Sequence, residues 1–124
     1  LRLFRPKAKM LLSAAMLAMK MKDSAVLVFT RSGDLAAKLG ALRPNGAPLF
    51  AFTDIDGLHR RLRLIWGIEP FLMSFSENPE LTIKNAIEKL KKEQWVETGD
   101  QLVTVTNVFA GGKFVESIQL REVE

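Results

Sequence analysis

Apolar and polar residues follow one another in short blocks, and the most informative block runs from Ser24 to Lys38. Ala25 to Phe29 is apolar throughout, too short for a solitary helix and the right length for a strand buried on both faces, as central strands of parallel sheets are. Thr30-Arg31-Ser32-Gly33 breaks the run with two hydroxyls, a cation and a residue free to take positive φ. Leu35, Ala36, Leu39 and Leu42 then recur with helical spacing. Strand, polar glycine turn and helix together aim free backbone N–H groups at an anion. Ordinary αβ turns share that pattern, and a lone Ser-Gly carries little specificity.

Before this block, Met10 to Met21 is apolar almost all round, interrupted only by Ser13 and Lys20. Such a helix has no clean solvent face, and two placements fit it. It is either packed on both sides, with Met10, Met16, Met19 and Met21 as adaptable contacts to another domain or subunit, or it is a core helix with methionine as filler. The apolar run is shorter than the roughly 20 residues needed to cross a bilayer. It is also followed at once by Lys20 and Lys22, unlike a secretory signal.

Beyond the turn-rich Arg43 to Pro48, Leu49 to Phe52 reads as a second strand, and Thr53 or Asp54 as the cap of the next helix. That helix places Leu58, Leu62 and Ile65 on one side and Arg60, Arg61 and Arg63 toward the other, ending at Trp66-Gly67. The arginines, with His59, are either an anion patch or the wet face of an amphipathic helix. Pro70 to Phe75 is the expected third strand. Asn78 and Pro79 open a helix in which Ile83, Ala86, Ile87 and Leu90 recur at i, i+3, i+4 and i+7. Gln101 to Val108 and Phe114 to Val123 are β-branched strands around Gly111-Gly112-Lys113, a terminal hairpin whose last strand has one wet face. Strands alternating with helices, then a hairpin, predict an α/β fold of three α/β/α layers.

Composition narrows the chemistry. A chain of 124 residues with 48% hydrophobic content is one domain's worth, so residues 1–124 are expected to form a single unit. With no cysteine and one histidine, it offers no disulfide, no thiolate nucleophile and no histidine cluster for a metal. Neither catalytic nor metal-ligating residues are therefore assigned. The net charge of +4 tolerates anionic partners, but aromatic and basic residues are not interleaved, so nucleic acid is a minor expectation. The start at Leu1 suggests a piece of a longer chain.

Several of these features, taken in order, resemble the C-terminal domain of pyruvate kinase. They are Thr30-Arg31-Ser32-Gly33, Arg43-Pro44, Pro48 with Ala51-Phe52-Thr53, Arg61-Leu62, Gly67, Pro70, and Gly99-Asp100 before a β-branched strand. The tract Phe50 to Thr53, with Arg60-Arg61-Leu62, Trp66-Gly67 and Ser74-Phe75-Ser76, looks closest to the plant plastid type. The resemblance implies a five-stranded, mostly parallel sheet whose last strand is antiparallel. It also implies that substrate chemistry, with Mg and K as cofactors, belongs to a separate barrel domain, leaving none here. In the family this domain packs on the barrel, joins subunits of a homo-oligomer, and in many members holds a sugar-phosphate effector such as fructose 1,6-bisphosphate.

The effector loop of the family maps onto Thr30, Arg31, Ser32 and Gly33, and the loop that closes over it onto Ala110 to Lys113, with Gly111 and Gly112. Asp34 and Leu35 depart from the pattern: a carboxylate close to a phosphate repels it by about 1 kcal/mol or more at intermediate dielectric. Asp34 can instead use the helix dipole as a first-turn residue. The expected function is the regulatory and assembly domain of a pyruvate kinase. The alternative is a non-catalytic binding or scaffold module that has kept the fold. The expected location is cytoplasmic, with the chloroplast stroma as alternative and no membrane association.

Overall fold

A computed structural model describes residues 24–31, 48–65, 67–110 and 113–124, together with positions 13, 17 and 36; for 106–110 and 113–117 it describes the backbone only. The described strands are β1 (Ser24–Phe29), β2 (Leu49–Thr53), β3 (Ile68–Leu72), β4 (Gln101–Ala110) and β5 (Lys113–Glu122). The described helices with defined ends are α1 (Asp56–Leu62) and α2 (Pro79–Lys92). The strands form one sheet in the order β3-β2-β1-β4-β5. β4 and β5 are antiparallel and the other pairings parallel, so the expected mixed sheet is present.

β1 is central because both of its faces are apolar. Val26 and Val28 point to one side, where they meet Leu49, Ala51, Val103, Val105 and the α1 residues Leu58 and Leu62. Ala25, Leu27 and Phe29 point to the other, against Phe50, Phe52, Phe71, Leu102 and the α2 residues Ile83, Ala86 and Leu90. Since successive side chains of a strand face opposite ways, one uninterrupted apolar run supplies two cores. Helices therefore lie on both faces, giving the three layers. Leu17 and Ala36, both helical, pack on the α1 face. The choice between interface and core for Met10 to Met21 otherwise lies outside the described residues.

α2 follows from its ends. The Asn78 side chain accepts a hydrogen bond from the Glu80 N–H at 3.0 Å, and Pro79 occupies the first turn, where a missing N–H costs nothing. At the other end the Trp95 N–H reaches the Leu90 carbonyl and the Gln94 N–H reaches that of Lys91, a Schellman closure. Gln94 takes φ of 65° to complete it, a left-handed conformation that costs a side-chain-bearing residue about 1–2 kcal/mol. Gln94→Gly is accordingly expected to raise stability by about 0.5–1 kcal/mol after the added chain entropy of the unfolded state. An increase in the urea midpoint at unchanged slope would show it; a decrease would mean that glutamine is needed there for other contacts.

The largest departures from expectation are at the third strand and at the two ends of α1. The third strand is Ile68–Leu72 rather than Pro70 to Phe75. Gly67, at φ 88°, turns the chain straight into pairing with β2, and Pro70 is tolerated because β3 is an edge strand. α1 is capped by neither Thr53 nor Asp54: Ile55 is its N-cap without a side-chain bond. Thr53 Oγ1 instead accepts the Ile55 N–H at 3.2 Å, forming a turn. α1 also ends at Leu62, well before Trp66-Gly67, where tighter turns carry the Leu64 and Ile65 amides to the Arg61 and Leu62 carbonyls.

Candidate functional site

Ligands of open α/β sheets bind beyond the carboxyl ends of the strands, where the strand order reverses direction. From β1 the chain steps outward through β2 to β3, then returns to β4 on the opposite side of β1, so the reversal lies between β1 and β4. The segment from Thr30 leaves this end of β1. Val28 pairs with Val105, and β1 stops at Phe29 while β4 continues to Ala110. The β4–β5 hairpin thus projects past the end of β1 by about four residues, roughly 13 Å at the rise of a strand.

Two expected ligand segments, distant in sequence, therefore leave the same end of the sheet from adjacent strands. Among the expected site residues the structure places Thr30, Arg31 and the backbone of Lys113 there, whereas Ser32, Gly33, Asp34, Gly111 and Gly112 lie outside the described residues. Thr30 is buried, and its N–H donates to the Phe52 carbonyl at 2.9 Å.

The Arg31 guanidinium is paired with Asp54. Its Nε lies 3.2 Å from both carboxylate oxygens, and a terminal nitrogen donates to Oδ2 at 2.9 Å. The register explains the meeting: Phe29 pairs with Phe52, Arg31 stands two residues after the first and Asp54 two after the second. The guanidinium also sits 5.5 Å from the centre of the Phe75 ring, which contacts Phe29 edge-on at 5.7 Å. The Arg31 side chain is 66% exposed and that of Asp54 23%, so the pair contributes about 1 kcal/mol or less in water. Asp54, expected as a helix cap, is the member of this site missed from the sequence; the signal that could have found it is the Phe29–Phe52 register.

Other charged features are less suited to ligand binding. Arg60 pairs with Asp56 at 3.0 Å one turn away, while Arg61 and Arg63 lie on the exposed face opposite buried Leu58 and Leu62. These arginines form the wet face of an amphipathic helix. Between α2 and β5 lies an open groove of about 860 Å³. Its Lys84, Lys91, Lys92 and Arg121 are matched by Glu80, Glu88, Glu122 and Glu124, which leaves no field of one sign. Within it Arg121 grips Glu80 through both terminal nitrogens, at 2.9 and 2.5 Å. These hydrogen bonds hold the Glu80 carboxyl below its ordinary value and push Arg121 up. Among the described residues no cluster of three or more His, Cys, Asp or Glu could hold a metal ion. No helix among them is long and apolar enough to cross a membrane.

Comparison with known proteins agrees with this architecture. Residues 8–115 match the family described as "Pyruvate kinase, alpha/beta domain". The chain is 34% identical over 111 residues to the chloroplastic pyruvate kinase isozyme A of Nicotiana tabacum, covering 90% of this chain and 18% of that protein. It is 33% identical over 111 residues to the corresponding isozyme of Ricinus communis, with the same coverage of 90% and 18%. A structure of Cryptosporidium parvum pyruvate kinase in complex with ADP superposes with a TM-score of 0.84 at 21% identity, over 96% of this chain and 24% of that one. The chain thus spans 18% of the length of each of these two plant relatives.

Proposed function

The chain belongs to the pyruvate kinase family, as its C-terminal alpha/beta domain, and from this premise we propose that it is the regulatory and subunit-assembly part of such an enzyme. The reaction of the parent is phosphoryl transfer from phosphoenolpyruvate to ADP, carried out on a barrel domain with Mg and K. The contribution of this domain is to pack on that barrel, to join subunits, and to receive an anionic effector at the carboxyl end of β1. The observation that supports the effector role is that β1 gives way to Thr30 and Arg31 beside the projecting β4–β5 hairpin, at the reversal of strand order. A segment leaving a central parallel strand and facing a projecting arm is suited to enclosing a phosphate group. A location in the chloroplast stroma is favoured by the chloroplastic relatives. A scaffold role without a catalytic parent is the second reading, and a parent barrel lacking acidic metal ligands would favour it.

Titration with inorganic phosphate, followed through the amides of Ser32, Gly33, Gly111 and Gly112, tests the effector role. Weak binding is expected at millimolar phosphate, with shifts in both segments, and fructose 1,6-bisphosphate is expected to do little better. Asp34→Asn removes a negative charge while keeping capping ability, so affinity should rise by up to about tenfold if roughly 1 kcal/mol of repulsion opposes the phosphate. No shift in either protein at low salt would reduce the segment to a structural turn and leave assembly as the role of the domain.

A further inference from the structure

We propose that Asp54 is an internal competitor for anions at the end of β1: its carboxylate occupies the guanidinium of Arg31, and a phosphate group binds there by taking Arg31 over. The proposal rests on the anion-receiving role above and adds to it the group that a ligand has to displace. Arginine presents its N–H donors in a rigid planar fork that fits a carboxylate or a phosphate in the same two-pronged way, so one edge cannot serve both at once. In this chain the edge carrying Nε is already bonded to both oxygens of Asp54. An approaching anion therefore meets a neutral pair rather than a free cation.

The pair is built to exchange rather than to lock. Asp54 is the more enclosed member at 23% side-chain exposure, while Arg31 at 66% remains open to solvent. Contacts between exposed charges are weak, so a ligand at millimolar concentration can compete. Phe75 supports the guanidinium from a second direction, at 5.5 Å from its ring centre, and keeps the cation near the sheet end whichever anion it holds. The ligand class that fits is a phosphate monoester, whose oxygens can reproduce both bonds to the fork.

The test follows the Ser32 and Gly33 amides, and the Arg31 Nε–H signal wherever Arg31 is retained, during inorganic phosphate titration at constant ionic strength, in the unsubstituted protein, Asp54→Asn and the double variant Arg31→Met with Asp54→Asn. Asp54→Asn is expected to bind phosphate three- to tenfold more tightly, and Arg31→Met combined with Asp54→Asn to show none of that gain. Asp54→Ser is the second variant if asparagine lowers the melting temperature. Equal affinities in the unsubstituted and Asp54→Asn proteins, with Arg31 shifting in both, overturn the proposal while leaving the effector role standing. An Arg31 shift that strengthens in Asp54→Asn without movement of Ser32 and Gly33 supports the competition and counts against the loop. Absence of every shift in all proteins overturns both.

Discussion

Phe52→Ala is expected to destabilise the domain by about 3–5 kcal/mol, the usual cost of emptying a buried aromatic site. Phe52 is wholly buried on a strand flanked by β1 and β3, stacked on Phe71 at 4.8 Å and 15° and tilted against Phe29 at 5.7 Å. Its ring neighbours stand on the two flanking strands and cannot collapse into the space without moving the sheet, so the cavity term is added to the lost transfer energy. Against a total stability of about 5–15 kcal/mol this is a large fraction. The melting temperature should fall by roughly 10–20 °C for a chain of this size. Leu120→Ala, at a residue 53% exposed on the edge strand β5, is the control and should change stability by less than about 0.5 kcal/mol. A Phe52→Ala protein melting with the control would mean that the aromatic layer does not carry the core.

The second large effect concerns turnover. The purified 124-residue chain is expected to form no ATP from phosphoenolpyruvate and ADP above the rate in buffer. Phosphoryl transfer depends on metal ions that neutralise the developing charge and on groups that align the reactants, rather than on covalent chemistry. The described residues present no carboxylate cluster for a metal. Millimolar Mg²⁺ should accordingly leave the melting temperature unchanged, because only binding to the folded state would raise it. A coupled assay for pyruvate, together with a thermal melt with and without Mg²⁺, checks both. Metal-dependent ATP formation by the clean chain would overturn the assignment of catalysis to a separate barrel.

The Arg31–Asp54 pair and the sheet register bring together residues far apart in sequence, and it is there that sequence and structure part company. Ala25 to Phe29 was legible as a doubly buried strand, because an apolar run of that length has no other economical burial. α2 was legible to its first residue, because Asn78, Pro79 and the spacing of Ile83, Ala86 and Leu90 all act within a few residues of one another. α1 and β3 were displaced by several residues at Trp66 to Pro70, where propensities are weak and pairing with β2 decides where extended backbone begins. The order and spacing of turns and glycines was enough to point to the family, since it is carried by local chemistry along the chain.

The amino-acid sequence by itself determined the element types, the two-faced burial of β1 and the absence of cysteine chemistry. Only the tertiary structure decided that Asp54 would leave its expected place as a cap and take Arg31. It likewise decided that the hairpin of β4 and β5 would project past the end of β1. The reason is that strand order and register arise from backbone pairing and from filling two cores at once. A single residue's slip would carry Phe29 and Phe52 to opposite faces, and with them Arg31 away from Asp54.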